Sequence, residues 1–92
     1  MNNYERLEVI VFGKVQGVFF RQHVYRMGKK LGLVGEVENL PDTTVRVVAE
    51  GPREILEKFL RHVQIGSIQS EVENIEAEWY PIKYEFKSFD IV

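Results

Sequence analysis

The clearest chemical signal in the chain is a nine-residue segment, Gly13-Lys14-Val15-Gln16-Gly17-Val18-Phe19-Phe20-Arg21. It separates an apolar strand pattern from an amphipathic helix pattern. Between residues 13 and 35 there is no Asp, Glu, Ser, Thr or Asn, so no common capping side chain serves the start of that helix. Free backbone amides and the helix dipole at such a start suit a bound anion.

Arg21 stands where the helix pattern begins. Its planar guanidinium can donate to two oxygens of one phosphate, which a lysine cannot do. Gly17 allows the main chain to curl around the ligand. A second interpretation stays open on spacing alone, in which water caps the helix and Gly17 only turns the chain. The segment matches neither a nucleotide P-loop nor a dinucleotide fingerprint.

Composition limits the kinds of site that the chain can form. The 92 residues predict a single domain over 1–92, with a thin core and a shallow site. The absence of cysteine excludes thiol chemistry and thiolate metal sites, and two histidines exclude a His-rich metal centre. No signal-peptide pattern or membrane-length apolar run is present, so we expect a cytoplasmic protein with no membrane partner.

Charge is unevenly distributed along the chain. Residues 1–35 hold six bases and two acids, whereas residues 36–92 hold six bases and twelve acids. The net charge of −2 argues against a general nucleic-acid binder, and the basic first third indicates a local anion site on an acidic body. The alternative for Arg26, Lys29 and Lys30 is the solvated face of a helix.

Hydrophobic spacing predicts the element order β-α-β-β-α-β with a short added terminal strand. Strands are predicted over 7–12, 36–39, 44–50, 75–80 and 86–91, and helices over 22–33 and 52–65. The first strand is apolar on both faces, which is typical of a central strand. Both helices would cover one face of a single antiparallel sheet, giving an α+β two-layer sandwich of ferredoxin-like type.

Chain direction then places the candidate site. The helix returns the chain, so the second strand runs parallel to the first and finishes at the same end of the sheet. We therefore expect the segment 13–21 and Asn39 to lie on one edge of the molecule. Asn39 could also be a simple turn residue before Leu40-Pro41.

The segment 13–21 resembles the signature of the acylphosphatase family, G-x-V-Q-G-V-x-[FY]-R. Two further blocks, Gly35-Glu36-Val37-Glu38-Asn39-Leu40-Pro41-Asp42 and Val47-Val48-Ala49-Glu50-Gly51, are similar to the family's second conserved region. The predicted element order also agrees, and the resemblance covers essentially the whole chain.

The resemblance implies a small, monomeric cytoplasmic enzyme that hydrolyses the carboxyl–phosphate bond of acyl phosphates with neither metal nor cofactor. Inorganic phosphate would be the product and an inhibitor. Arg21 would clamp the phosphoryl group, and Asn39 would orient the attacking water. The loop whose backbone amides would cradle the phosphate consists of Val15, Gln16, Gly17, Val18, Phe19, Phe20 and Arg21.

Three positions depart from the family pattern: Glu36 stands where Trp is usual, Thr43 where the hairpin turn usually has Gly, and Ser67 where Pro often follows the second helix. We expect none of them to touch the cradle. A β-branched residue is poorly suited to a positive φ, so another turn geometry is expected at Thr43.

A different class of function also fits a ferredoxin-like fold. Such a domain could be a non-catalytic anion- or nucleic-acid-binding module, with Phe12, Tyr80 or Tyr84 recruited as stacking aromatics. The acidic second half and the lack of a basic-aromatic strand motif argue against RNA. The presence of both Arg21 and Asn39 argues against loss of catalysis.

Overall fold

The computed structural model describes residues 3–92, so the first two residues of the predicted 1–92 domain lie outside the described part. The predicted element order is confirmed. The elements are β1 (Tyr4–Lys14), α1 (Phe20–Lys30), β2 (Val34–Asn39), β3 (Val45–Pro52), α2 (Arg53–Ile65), β4 (Glu71–Pro81) and β5 (Phe89–Ile91).

The five strands form one sheet in the order β4-β1-β3-β2-β5. The pairs β4-β1, β1-β3 and β3-β2 are antiparallel, but β5 runs parallel to β2. The expectation of a purely antiparallel sheet is therefore wrong at this edge. The reason is that the chain crosses from the β4 edge to the opposite edge before β5 begins. The central position of β1 is confirmed.

Both helices cover one face of the sheet, as predicted. The buried side of α1 is formed by Phe20, Val24 and Gly28, and that of α2 by Leu56, Phe59 and Val63. They pack on the buried valines and leucine of the inner strands. At Gly28 a Cβ atom would lie 2.5 Å from the Phe89 ring, so glycine is required for the close approach of α1 to β5.

Strands β1 to β4 differ in their bounds from the predicted 7–12, 36–39, 44–50 and 75–80, and both helices and the last strand differ as well. Helix α1 spans Phe20–Lys30 rather than 22–33, and Leu31 and Gly32 close it. Helix α2 begins at Arg53, because Pro52 is still extended (φ −63°, ψ 137°) and serves as the N-cap. The last strand is confined to Phe89–Ile91. Residues 82–88 cross an end of the sheet and cannot pair along it.

The crossing segment is held by Glu50, which is buried on β3. Its carboxylate accepts the backbone N–H groups of Lys83 (2.9 Å) and Glu85 (3.1 Å) and pairs with Arg6 at 3.2 Å. Burial alone would lower the pKa of Arg6, but its hydrogen bonds to Glu8, Glu50 and Glu85 raise that pKa above its ordinary value. The anchored crossing delivers β5 to the β2 edge.

The hairpin between β2 and β3 has a three-residue loop. Leu40 N donates to Thr44 O at 2.9 Å, and Thr43 N donates to Leu40 O at 3.2 Å. Thr43 has φ +75°, so the expectation of another turn geometry is wrong: this loop length places a left-handed residue at the third position. The Thr44 hydroxyl and amide both donate to the Asp42 carboxylate and lower its pKa.

Replacing Thr43 by glycine should stabilise the fold. A β-branched residue in the left-handed region costs about 1–3 kcal/mol, and the greater unfolded-state freedom of glycine offsets about 0.5–1 kcal/mol of the relief. We expect Thr43→Gly to raise the free energy of unfolding by about 1 kcal/mol and Tm by about 4–8 °C. Thermal and urea denaturation measure both quantities.

The matched control is Thr44→Gly. Thr44 is buried and bonded to Asp42, and its φ is not positive, so its replacement should lower the stability. A Thr43→Gly variant that is no more stable than the parent would show that the turn carries no strain at this residue.

Candidate active site

The loop between β1 and α1 is fixed to the protein by three buried side chains. Val15, Val18 and Phe20 are at most 7% exposed and belong to the main core, whereas Gly17 and Phe19 between them are exposed. Burial of each apolar side chain contributes about 1.5–3 kcal/mol. The loop therefore has a defined conformation although it is at the surface.

Within residues 3–92, the backbone N–H groups of loop residues 16–22 donate neither to a backbone carbonyl nor to a side chain. The start of α1 has neither a capping side chain nor an acidic residue in its first turn. These amides and the positive end of the helix dipole form a concave anion-binding surface.

Two residues with positive φ shape this surface. Gly17 has φ +73°, and a Cβ atom there would meet open space, so its conformation rather than lack of room explains the glycine. Phe19, the N-cap residue of α1, is left-handed at φ 60° and ψ 20°. Its side chain is 67% exposed. An exposed aromatic residue held in a left-handed conformation is typical of a binding site.

Arg21 lies in the first turn of α1 and is partly buried. Together with the loop, Gln22 and Ile91 it lines an open pocket of about 440 Å³. Among the described residues, no carboxylate lies within 4.0 Å of its side-chain nitrogens, although Arg6, Arg46 and Arg53 all form ion pairs. The guanidinium of Arg21 is thus available to a ligand.

Asn39 is the last residue of β2, at the same end of the sheet as the loop. Val45 is the register partner of both Val11 on β1 and Asn39 on β2, so a single strand separates them. Asn39 shares the helix-covered face with buried Val37. Its Oδ1 atom is buried and has no hydrogen-bond partner within residues 3–92. A buried amide oxygen of this kind is an acceptor that the described chain leaves unsatisfied.

A family profile, a curated relative and a solved structure point to the same family. The acylphosphatase family profile matches residues 7–91. An acylphosphatase of Thermus thermophilus is 49% identical over 74 residues, which is 80% of this chain and 84% of the relative. The crystal structure of the acylphosphatase of Bacillus subtilis superposes with a TM-score of 0.92 at 36% identity, covering 96% of this chain and 98% of that one.

The chain belongs to the acylphosphatase family. A structure of an acylphosphatase from Coxiella burnetii gives the same result, with a TM-score of 0.91 at 33% identity over 98% of this chain and 94% of that one. The resemblance inferred from the loop signature is thereby confirmed, as is the α+β fold.

Two of the departures from the family pattern have a clear structural outcome. Glu36 lies on the open face of the sheet, opposite Asn39, where Arg46 pairs with it at 3.0 Å and with Glu38 at 3.3 Å. The expectation that no departure touches the cradle is wrong for Ser67, whose Oγ donates to Val18 O at 3.0 Å. A proline could not make this bond, because it has no hydroxyl group.

Sequence reasoning also missed two ways in which other segments meet the loop. The Gln16 side chain donates to the carbonyls of Leu40 and Thr44, and Ile91 reaches the pocket because the parallel strand β5 ends beside β2. Chain direction could have placed Ile91, but only if the partner of β5 had been known. The loop signature of residues 13–21 does not indicate what the Gln16 side chain contacts.

Within residues 3–92, no three His, Cys, Asp or Glu side chains converge in a way that could hold a metal ion. Neither α1 nor α2 combines the length and the apolar character that a membrane crossing requires. His23 on α1 is partly buried, and its Nε2 atom is enclosed without a partner in the described chain.

Inorganic phosphate should stabilise the folded protein through Arg21. A ligand at 100 times its dissociation constant adds about 2.7 kcal/mol to the free energy of unfolding. We expect Tm in phosphate to be well above Tm in chloride of equal ionic strength. The Arg21→Met variant, which keeps the aliphatic stem of the side chain, should lose most of that increase. Thermal denaturation across a phosphate series measures it.

Arg61→Met is the control, because Arg61 is exposed on α2 and does not line the pocket beside Arg21. It should retain the full phosphate increment. An Arg21→Met variant with an undiminished increment would mean that phosphate binds elsewhere.

Proposed function

We propose that this family member hydrolyses acyl phosphates to a carboxylate and inorganic phosphate, through a phosphate cradle formed by residues 15–21. The observation that carries the proposal is the set of amides of residues 16–22, which have no partner within residues 3–92, beside an Arg21 guanidinium that pairs with no carboxylate of those residues. Phosphoryl transfer depends on positioning and charge stabilisation, which these donors supply.

In the proposed reaction the amides and Arg21 bind the equatorial oxygens of the phosphoryl group. Arg21 donates to two of them and stabilises the charge that spreads over them in the transition state. The leaving group is a carboxylate, which is a weak base and departs without a strong general acid. Among the residues that the structure describes, no carboxylate lines the pocket, so none of them repels the dianionic substrate there.

Asn39 is proposed to hold the attacking water in line with the bond that breaks. Its buried Oδ1 atom accepts a hydrogen bond from the water. A neutral amide cannot remove a proton near neutral pH. The water oxygen forms the new P–O bond while the P–O bond to the carboxylate breaks, and the protons of the water pass to the phosphate product or to solvent.

Turnover of benzoyl phosphate in EDTA tests the proposal. We expect hydrolysis that is unaffected by the chelator and inhibited competitively by inorganic phosphate. Phosphate binding without turnover would instead favour the alternative of a non-catalytic anion-binding module. A monomeric state, a cytoplasmic location and the lack of a nucleic-acid partner remain predictions from the sequence.

Arg21→Lys should lose most of the activity. Removal of one donor to a developing oxyanion costs roughly 10²–10³ in rate, and loss of the two-pronged donor should cost at least as much. The measurement is kcat/KM for benzoyl phosphate, with Arg61→Lys as the control. A parental rate in Arg21→Lys would remove the clamp from the mechanism.

Asn39→Ala should lower kcat by about 10²-fold, the scale expected when a reacting group loses its alignment. Phosphate inhibition should change little, because the cradle stays intact. Asn74→Ala on β4, where the side chain is exposed, is the matched control. An equal loss in kcat and in phosphate affinity would mean that Asn39 holds substrate rather than water.

A further inference from the structure

The side chain of Gln16 joins two parts of the site that the chain itself leaves separate. Its Nε2 atom donates to Leu40 O and to Thr44 O, both at 2.9 Å. These carbonyls belong to the two sides of the hairpin between β2 and β3. Gln16 itself lies in the loop after β1 and is partly buried. One carboxamide therefore links the phosphate loop to the hairpin.

Asn39 is the neighbour of a residue that Gln16 holds. Leu40 follows Asn39 directly, so a bond to Leu40 O restrains the backbone from which the Asn39 side chain projects. Asn39 Oδ1 has no partner within residues 3–92, so no protein hydrogen bond orients that atom. Strand β3 lies between β1 and β2, and the Gln16 bonds connect the loop after β1 to Leu40 after β2 and to Thr44 before β3.

We infer that the Gln16 carboxamide is a positioning residue, which sets the placement of Asn39 relative to the phosphate cradle. The inference rests on the proposed function, in which Asn39 aligns water against a phosphoryl group held by residues 15–21. A misplacement of about 1 Å between reacting groups can cost 10²-fold in rate. Gln16 thus acts on turnover through Asn39, separately from the backbone amide that it contributes to the cradle.

The cradle and the hairpin both have other supports. Buried Val15, Val18 and Phe20 anchor the loop, and Ser67 bonds to Val18 O. The two carbonyls keep their backbone partners when the Gln16 side chain is lost. A variant without the amide should therefore fold and should still bind phosphate.

The first experiment compares Gln16→Met with the parent protein. Methionine has a similar length and shape but no donor. We expect kcat for benzoyl phosphate to fall about 10-fold or more, while the inhibition constant of inorganic phosphate stays within about twofold. Gln64→Met, on the exposed face of α2, is the matched control and should match the parent. An unchanged kcat, or a phosphate affinity that falls in proportion to kcat, would overturn the inference.

A double-mutant cycle with Asn39→Ala separates positioning from a general structural effect. If Gln16 acts through Asn39, Gln16→Met should cost little further rate once Asn39 has been replaced. Losses that multiply across the two variants would overturn the inference, because they would mean that Gln16 acts independently of Asn39.

An NMR measurement tests the same link without activity. In the parent, the side-chain NH₂ signals of Asn39 should be sharp. In Gln16→Met they should shift or broaden, while the backbone amides of residues 16–22 respond to phosphate as in the parent. Unchanged Asn39 signals would contradict the positional link. A parent protein that binds phosphate but does not hydrolyse benzoyl phosphate would contradict the proposed function, and this NMR result would still decide the link.

Discussion

Backbone amides without an acceptor are the constraint on which the rest of this structure depends. Among the described residues, the N–H groups of 16–22 have no hydrogen-bond partner at the start of α1, where a side chain caps an ordinary helix. In a loop without such anchors, the amides could form hydrogen bonds with the loop's own carbonyl groups. Here the buried side chains of Val15, Val18 and Phe20 fix the loop from below, so the amides stay available. The fold thus maintains a binding surface that the loop could not maintain alone.

The acidic body of the protein is compatible with an anion site because several of its carboxylates pair with arginines outside the pocket. On the open face of the sheet, Arg46 pairs with Glu36 and Glu38, and buried Arg6 pairs with Glu8, Glu50 and Glu85. Each of these arginines is committed to carboxylates. Arg21 has no such partner among the described residues, so its charge is directed at the pocket.

The sequence predicted the features that depend on local pattern. Apolar spacing identified both helices and the central strand, and chain direction placed Asn39 beside the loop. It could not predict the pairing of β5, because no local pattern says which edge a terminal strand joins. It also missed the bond from Ser67 to Val18, because the hydrogen-bond partner of a serine hydroxyl depends on the folded structure and cannot be read from the sequence. The left-handed conformation of Thr43 was also missed, because the length of the hairpin loop overrides the preference of a β-branched residue for negative φ.

The strained turn at Thr43 and the position of Asn39 share the same supports. A β-branched residue persists at a positive φ only where its neighbours determine the backbone strongly. Here Leu40 and Thr44 close the turn, Asp42 accepts from Thr44, and Gln16 donates to the carbonyls of Leu40 and Thr44. Bonds that hold the turn against its strain also hold the end of β2, where Asn39 lies. Turn geometry and site geometry are therefore physically coupled through the Gln16 carboxamide.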